Sequence, residues 1–345
     1  MITSAVGCGS MSKKVWVEFL KENATVTEPY LRCIGSCYAS IGCVVEYLYD
    51  VSAVGSPTSD IYVVAVAPSA VKLTRRGCKH IVFWAQGIWP EESYQRNGSN
   101  LRLKICNIVE KKALRKSEKL FLVSNAQLEH YEHKYGLSLK RKSYIMPCSN
   151  EIFHGKSFDY EGKYEHPVFV YAGSLAKYQC IDSMLDAFTQ AQVVCHDAQL
   201  LFYTGQQNEA KALIEERGLK NVTIGFSKPE ELHLVLAKAK YGFVIRDDSD
   251  VNKVATPTKI SSYIANGVIP VYSPTLQAFE ETSGGIIKLP YNAETFAEQF
   301  LKMEELKIDP KIMREMYKSY FDQQFNLDLH SSAIICFIEG RNFDK

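Results

Sequence analysis

The sequence lacks the features that mark several large classes of protein. It has no run of roughly 18 consecutive apolar residues, which a membrane-spanning helix requires, and its best stretch, Ile34 to Val45, is too short. The first ten residues include no Lys or Arg, which is untypical of a secretory signal peptide. With 40 Lys and Arg against 39 Asp and Glu, the formal net charge is only +1. We therefore predict a cytoplasmic protein with no nucleic-acid partner.

Cysteine and glycine patterns exclude two further classes. The ten cysteines include no C-x-x-C pair, and the closest group, Cys33, Cys37 and Cys43, has no histidine at the spacing of a zinc site. Neither half of the chain has G-x-G-x-x-G after its first predicted strand, which argues against a dinucleotide-dependent oxidoreductase. We therefore expect reduced thiols, no metal centre and no resident cofactor.

Apolar runs and helical patterns alternate along the chain, and one polar, turn-rich segment interrupts them. A length of 345 residues favours two domains, because single cores stop growing at roughly 250 to 300 residues. We predict the α/β class, with two tandem Rossmann-like, doubly wound domains that face each other across a cleft, since such sheets bind ligands at their strands' carboxyl ends. The predicted parts are an N-terminal domain over 14–150, a linker over 151–167, a second domain over 168–310, and a helical tail over 311–345 that returns to the first domain.

The stretch from Val251 to Ser273 predicts an anion-binding helix start. A predicted strand ends at Arg246, a polar loop follows, and Thr256 and Pro257 suit the N-cap and first position of a new helix. Lys259 then falls in the first turn, beside free backbone N–H groups and the positive end of the helix dipole. A lysine there opposes the dipole unless an anion is bound. We therefore predict that Arg246 and Lys259 are catalytic residues that stabilise developing negative charge.

A second strand end carries similar chemistry. Gly173 stands where the backbone can approach a ligand closely, and Ser174 and Lys177 follow just beyond it. Two strand ends with matching chemistry favour a binding site. The alternative is that Lys259 is only solvated and that Arg246 pairs with an acidic residue of the loop after it.

The stretch FWAQGIWPEES follows another predicted strand and is expected to point into the cleft. Its aromatic rings could stack on a sugar, and its polar side chains could bind sugar hydroxyls. The candidate acceptor-binding residues are Trp84, Gln86, Trp89, Glu91 and Glu92. The alternative is that both tryptophans belong to the core and that both glutamates are ordinary first-turn residues.

The predicted helix over 101–119 is rich in basic residues. They are Arg102, Lys104, Lys111, Lys112, Arg115, Lys116 and Lys119, against Glu110 and Glu118. Such a run is usually a solvated face, but it also suits peripheral contact of 102–119 with anionic lipid at the inner face of the cell membrane.

Several of these motifs resemble one family of enzymes. YAGSLAKYQCIDSMLDAF and GFVIRDDSDVNKVATPTKISSYIANGVIPVYS are similar to the nucleotide-sugar-binding half of GT-B glycosyltransferases of family 4, found among capsule and surface-polysaccharide enzymes. FWAQGIWPEESY, LFLVSNAQLEHYEHKYG and YIMPCSNEIF resemble the acceptor-side half of the same group. The resemblance covers roughly Val15 to Leu289, and its most specific part is Pro-Thr-Lys followed by Tyr-x-x-x-Gly.

The resemblance implies a function as well as a fold. A sugar would move from a nucleotide-diphosphate donor to a saccharide acceptor, a lipid-linked one in surface-polysaccharide synthesis, with retention of anomeric configuration. Lys259 and Arg246 would hold the donor diphosphate. The donor-binding positions are Gly173, Ser174, Lys177, Thr256, Pro257, Thr258 and Ser262.

The chain also departs from the family pattern. Many members carry two glutamates where this sequence has Val254 and Ser262, so contacts to the donor ribose and sugar cannot be carried over. Two alternatives therefore stay open, a non-catalytic partner subunit with this fold and a nucleotide-sugar 2-epimerase.

Two patterns could in principle bind a metal. Asp248 and Asp250 match the D-x-D motif of the other large glycosyltransferase fold, but the surrounding pattern is that of GT-B. His130 and His133 share a helix face beside two glutamates, which is more typical of surface histidines.

Overall fold

The computed structural model describes residues 13–21, 24–149 and 151–341. They divide into two compact units, each built around its own sheet. The first unit comprises the described residues through Leu122, Leu128–Met146, and those from Leu327 onward. The second comprises Val123–Gln127 and Pro147–Asn326, and so includes the segment predicted as a linker.

The first unit contains a six-stranded parallel sheet. Its strands are β1 (Lys14–Glu18), β2 (Val44–Leu48), β3 (Ile61–Val64), β4 (His80–Ala85), β5 (Lys119–Leu122) and β6 (Ser143–Ile145). Their order across the sheet is β2-β1-β3-β4-β5-β6, so β4 is flanked on both sides and its residues from Ile81 to Ala85 are all buried. A strand buried on both faces reads as a continuous apolar run, as HIVFWA does.

The second unit contains a second six-stranded parallel sheet. Its strands are β7 (Val168–Ala172), β8 (Gln199–Tyr203), β9 (Val222–Gly225), β10 (Tyr241–Val244), β11 (Ile269–Tyr272) and β12 (Leu289–Pro290). Their order is β12-β11-β10-β7-β8-β9, so the direction of winding reverses between β7 and β10. Open α/β sheets bind ligands beside the carboxyl ends of the strands at such a reversal.

Helices connect most of the strands, as parallel sheets require. In the first half of the chain they are α1 (Ala24–Ser40), α2 (Ala67–Arg76), α3 (Trp89–Asn97), α4 (Asn100–Lys116) and α5 (Asn125–Tyr135). The second half has α6 (Ile181–Val194), α7 (Gln207–Glu216), α8 (Leu232–Leu236), α9 (Asp250–Val254), α10 (Thr258–Ala265), α11 (Gln277–Thr282), α12 (Phe296–Glu304), α13 (Pro310–Gln324) and α14 (Leu327–Glu339). The predicted fold class, α/β with two doubly wound parallel sheets, is confirmed. None of the helices, over the residues that the structure describes, is long and apolar enough to cross a membrane.

The C-terminal segment is divided between the two units. Helix α13 packs against α10 within the second unit, whereas α14 packs along α1 within the first. The thiols of Cys33 and Cys37 on α1 donate to carbonyl oxygens of α14 at 3.8 and 3.7 Å. The last helix therefore covers one side of the first unit's core.

Candidate active site

The strands that flank the reversal in the second sheet place two of the predicted residues close together. Gly173 follows β7 and Arg246 follows β10 by two residues, and these strands are hydrogen-bonded neighbours. Because the sheet is parallel, both residues lie at its carboxyl edge. The sequence pattern thus leads to the point of the second unit where a ligand is expected.

Arg246 is the first of two cations at this sheet edge, and it is buried. Its side chain is 8% exposed, and its Nη1 donates to the carbonyl oxygen of Ile245 at 2.8 Å. Its backbone N–H donates to Ser273 Oγ at 2.8 Å, which fixes the start of the loop. The guanidinium lies 5.9 Å from the ring centroid of Tyr178. No carboxylate among the described residues forms an ion pair with it, and burial lowers its pKa.

The acidic residues after this arginine bind other partners. Asp247 accepts hydrogen bonds from the side-chain amide of Asn252 through both its carboxylate and its carbonyl oxygen. Asp248 and Asp250 pair with Lys253, at 3.1 and 3.7 Å. The alternative that one of them neutralises the arginine is therefore wrong. Both aspartates of the D-x-D motif therefore bind a cation of the protein, Lys253.

Lys259 is the second cation of the site. Its Nζ donates to Gln179 Oε1 at 3.0 Å and lies 5.0 Å from the ring centroid of Tyr171. Burial, and then the positive charge of Arg246, lowers the pKa of Lys259 to about 7. Like the arginine, it has no ion pair within the part of the chain that the structure describes. The two side chains form a positive site that no carboxylate of the described residues compensates.

Gly173 makes room for this lysine. A Cβ at Gly173 would stand 2.8 Å from Lys259 Nζ and 3.2 Å from the hydroxyl oxygen of Tyr171. Any side chain at this position would therefore displace the lysine amine, so the glycine is needed for close approach.

The helix that carries Lys259 begins one residue later than the sequence suggested. Helix α10 starts at Thr258, and Pro257 occupies the N-cap with extended backbone (φ −61°, ψ 128°). The prediction of Thr256 as the N-cap is therefore wrong. Its hydroxyl oxygen instead accepts the backbone N–H of Cys148 at 3.1 Å. Lys259 lies in the first turn as predicted, where the leading N–H groups of a helix lack intrahelical acceptors.

Three of the remaining donor-side candidates lie in the loop after β7 or on α10. Ser174 and Lys177 are exposed, and the carbonyl oxygen of Ser174 accepts from the Tyr171 hydroxyl at 2.6 Å. Ser262 is half-buried on α10, and its carbonyl oxygen accepts from Asn266 Nδ2 at 2.9 Å. Their roles as donor ligands stay predictions.

A cavity of about 640 Å³ opens beside Arg246 in the second unit. Its walls come from the loops after β10, β11 and β12, with one residue each from α6, α9 and α11. The polar groups in these walls include Ser183, Ser273, Thr275, Tyr291 and Asn292. Its volume is typical of a site for a small molecule or cofactor.

The acceptor-side candidates in the first unit divide into core and accessible residues. Trp84 is 1% exposed, and its ring packs 4.7 Å from that of Tyr30. The prediction that Trp84 stacks on a sugar is therefore wrong, because the ring belongs to a strand covered on both faces. Gln86 and Trp89 are partly exposed, at the loop after β4 and at the start of α3.

The two glutamates of α3 lie in different environments. Glu91 pairs with Lys134 at 2.5 Å and with His130 at 3.4 Å, so its carboxylate is occupied within the first unit. The side chain of Glu92 folds against Gly87, where an added Cβ would be 2.0 Å from Glu92 Oε1. Burial raises the pKa of Glu92. Of the two, Glu92 is the better candidate to bind a hydroxyl or to carry a proton.

The Glu91 pair belongs to a larger buried network. Glu110, on α4, accepts a hydrogen bond from the Tyr135 hydroxyl at 2.7 Å and lies 3.8 Å from Lys134. Burial raises the pKa of Glu110 to about 7. His130 takes part in this network rather than lying free on the surface, and the described residues contain no group of three metal-ligating side chains.

Three residues of the donor-side centre were missed in the sequence. Gln179 accepts the lysine hydrogen bond, and Tyr171 and Tyr178 line the two cations. All three lie at the end of β7 or in the loop after it. The signal that could have found them is the run of polar and aromatic residues directly after a buried strand.

The fold is that of two-domain GT-B glycosyltransferases. Sucrose-phosphate synthase from Thermosynechococcus elongatus is similar with a TM-score of 0.65 and 15% identity, over 95% of this chain and 98% of that one. Anabaena HepE in complex with UDP and glucose is similar with a TM-score of 0.62 and 13% identity, over 95% and 100% of the two chains. A TarM variant from S. aureus, in complex with fondaparinux, alpha-GlcNAc-glycerol and UDP, is similar with a TM-score of 0.57 and 9% identity, over 80% of this chain and 55% of TarM.

Sequence comparison gives no corresponding assignment. No protein-family model matches the chain, and no curated protein matches it either. The chain spans about half the length of TarM, at 55%. At these identities the likeness establishes the fold, and membership of family 4 stays a prediction.

Proposed function

We propose that this chain is a glycosyltransferase that moves a sugar from a nucleotide-diphosphate donor to a saccharide acceptor. The observation that carries the proposal is the pair Arg246 and Lys259, two largely buried cations without a carboxylate partner among the described residues. Burying an unpaired charge is unfavourable, and a second charge of like sign adds to the penalty. The diphosphate of a nucleotide sugar would place two negative charges beside these two cations.

The same pair supports a chemical role. As the bond between sugar and diphosphate breaks, negative charge grows on the leaving phosphate. Arg246, Lys259 and the N-terminus of α10 would stabilise that charge more in the transition state than in the ground state. Gly173 would allow the diphosphate and the lysine to approach the backbone closely.

The cavity beside Arg246 would receive the nucleoside part of the donor. It adjoins the arginine, and its walls offer an aromatic ring at Tyr291 together with polar groups at Asn292 and Thr275. A base and ribose need such a combination of apolar surface and a few polar contacts. HepE, which has the same fold, has been crystallised with UDP-glucose, and this favours a uridine nucleotide as the first donor to try.

The acceptor would bind to the first unit. Three of the candidate side chains are partly exposed there, namely Gln86, Trp89 and Glu92. Trp84 is buried in the core, and Glu91 pairs with Lys134. The resemblance described above supports a lipid-linked saccharide acceptor in surface-polysaccharide synthesis, and transfer with retention of configuration. These finer assignments are part of the proposal.

A nucleotide panel tests the donor site. Thermal unfolding of the wild type, Lys259→Ala and Lys211→Ala would be followed with UDP, GDP, ADP, CMP and NAD. A ligand at about 100 times its Kd should add about 2.7 kcal/mol of stability. We expect one nucleoside diphosphate to stabilise the wild type and Lys211→Ala, whose changed side chain is exposed on α7, but not Lys259→Ala. Turnover of the matching nucleotide sugar should fall in Lys259→Ala by on the order of 10² to 10³.

The other outcomes separate the alternatives. No stabilisation by any nucleotide would refute the donor site and favour a non-catalytic partner subunit. Conversion of the donor to an isomer without an acceptor would identify a nucleotide-sugar 2-epimerase. Unchanged turnover in Lys259→Ala would refute the role given to the lysine.

A further inference from the structure

The outward face of α4 combines exposed apolar and basic side chains. Leu101, Ile105 and Ile108 are 71, 54 and 69% exposed. Their spacing of four and three residues places them on one side of the helix. Exposed large aliphatic residues are common one at a time, but three adjacent ones on one helix face form a patch.

Basic residues surround and extend this patch. At roughly 100° per residue, Lys112 and Arg115 continue the same line towards the C-terminus, and Lys104, Lys111 and Lys116 flank it. No ion pair involves any of these side chains in the described part of the chain. Lys111 Nζ lies 6.0 Å from the ring centroid of Tyr135.

The helix carries no exposed acid. Glu110 is the one acidic residue of α4, and it is 1% exposed because it faces inward to Tyr135 and Lys134. A solvated basic helix usually carries acidic residues on its outer face, which pair with its own lysines at i, i+4. The helix ends at Lys116, and Lys119 belongs to β5, where its Nζ donates to the carbonyl oxygen of Phe337 at 2.9 Å. The outward face therefore carries three exposed aliphatic side chains beside Arg102 and Lys104 towards its N-terminus, and only basic side chains towards its C-terminus.

We propose that this face docks the protein onto the surface of a membrane that contains anionic lipids. Apolar side chains that enter the headgroup region and basic side chains that meet lipid phosphates are the two components of interfacial binding by amphipathic helices. An acidic protein partner would pair with the cations, but its surface would also need apolar pockets that fit the three aliphatic side chains. A second copy of the chain would bring two cationic faces together, which is unfavourable. The proposal goes beyond the sugar transfer proposed above and does not depend on it.

Vesicle flotation tests the proposal with the full chain. The probes are vesicles of phosphatidylcholine alone and of phosphatidylcholine mixed with phosphatidylglycerol. We expect binding to the mixed vesicles that weakens with salt, because the charge component is screened. Lys104→Gln with Lys111→Gln should lower the partition coefficient about fivefold per charge removed. Ile105→Ser with Ile108→Ser should lower it at least on the order of tenfold.

Matched controls keep the test specific. Ile312→Ser and Leu329→Ser remove equally exposed aliphatic side chains from other helices and should leave vesicle binding unchanged. Both α4 double variants should keep a Tm close to that of the wild type, which shows that they fold.

Three results would overturn the proposal. They are absence of vesicle binding in the wild type, equal binding by the α4 double variants, and dimerisation of the wild type that Ile105→Ser with Ile108→Ser abolishes without any effect of vesicles. The last would assign the face to a second copy of the chain.

Discussion

Donor binding should be coupled to the uptake of a proton by Lys259. Its pKa of about 7 in the free protein means that only about a tenth of the molecules carry a charged lysine at about pH 8. A bound diphosphate favours the charged form and therefore raises this pKa. At that pH, binding should take up nearly one proton. Since the bound state then holds more protons than the free state, affinity should fall as pH rises above 7, by up to about tenfold per pH unit.

Isothermal titration calorimetry measures this uptake directly. The binding enthalpy of the nucleotide sugar, measured at one pH in buffers of different ionisation enthalpy, gives the number of protons from its slope. A nucleotide sugar is the better probe, because the terminal phosphate of a free nucleoside diphosphate titrates near 6, by analogy with other phosphate monoesters. Lys259→Ala should bind more weakly and take up close to no proton, whereas Lys211→Ala should match the wild type.

Two results would refute the reasoning. If the wild type bound the donor at about pH 8 without proton uptake, Lys259 would already be charged in the free protein. If Lys259→Ala took up as many protons as the wild type, another group would be responsible. Glu92 and Glu110, whose pKa values are raised by burial, would then be the next groups to test.

Three further variants test the energetics of the two units. Lys259→Met should stabilise the ligand-free protein by about 1 kcal/mol or more below pH 7, where the wild-type lysine is charged in the folded state. This gain in stability should shrink as pH rises from the folded pKa of about 7 towards the ordinary value of 10.5. A Tm of Lys259→Met below that of the wild type at about pH 6 would contradict the prediction. Gly173→Ala should weaken donor binding about tenfold, because the added methyl group displaces the lysine amine. Gly205→Ala is the control, since a Cβ there meets no neighbouring atom. Equal Kd values for Gly173→Ala and the wild type in calorimetry would contradict the prediction. Trp84→Ala should lower the free energy of unfolding by about 3 to 5 kcal/mol in urea denaturation, and unchanged stability would show that the ring is not core.

The position of the donor-side centre could be predicted from the sequence because it depends on local patterns. A buried strand, a polar loop and a Pro-Thr-Lys helix start are each visible within a few residues, and together they place Arg246 and Lys259 at the carboxyl edge of a sheet. The precise helix start could not be predicted. It depends on whether Thr256 caps the helix or binds the N–H of Cys148, more than a hundred positions earlier in the chain. Such a choice is made by tertiary contacts.

The sequence predicts which face of the sheet a side chain lies on only where one face of the strand is exposed, because apolar and polar residues then alternate. β4 lies inside its sheet and is buried on both faces, so the alternation that would separate Trp84 from a cleft residue is absent. The same limit applies to α4, whose basic composition is plain in the sequence. Which of its residues lie on the outward face depends on tertiary contacts, such as those that Tyr135 and Lys134 make with Glu110.

The donor-side centre shows why a local electrostatic conflict is informative about function. Other cations of the second unit have carboxylate partners: Lys240 pairs with Glu304, and Lys253 pairs with two aspartates. Arg246 and Lys259, the pair at the reversal of the sheet, receive amide, carbonyl and aromatic partners instead. If their role were structural, an acidic residue at Gln179 would stabilise the fold, since it would contact the lysine directly. Gln179→Glu should therefore raise the Tm of the ligand-free protein and abolish donor binding. A variant that gained stability and still bound the donor would show that the positive charge is not what the site uses.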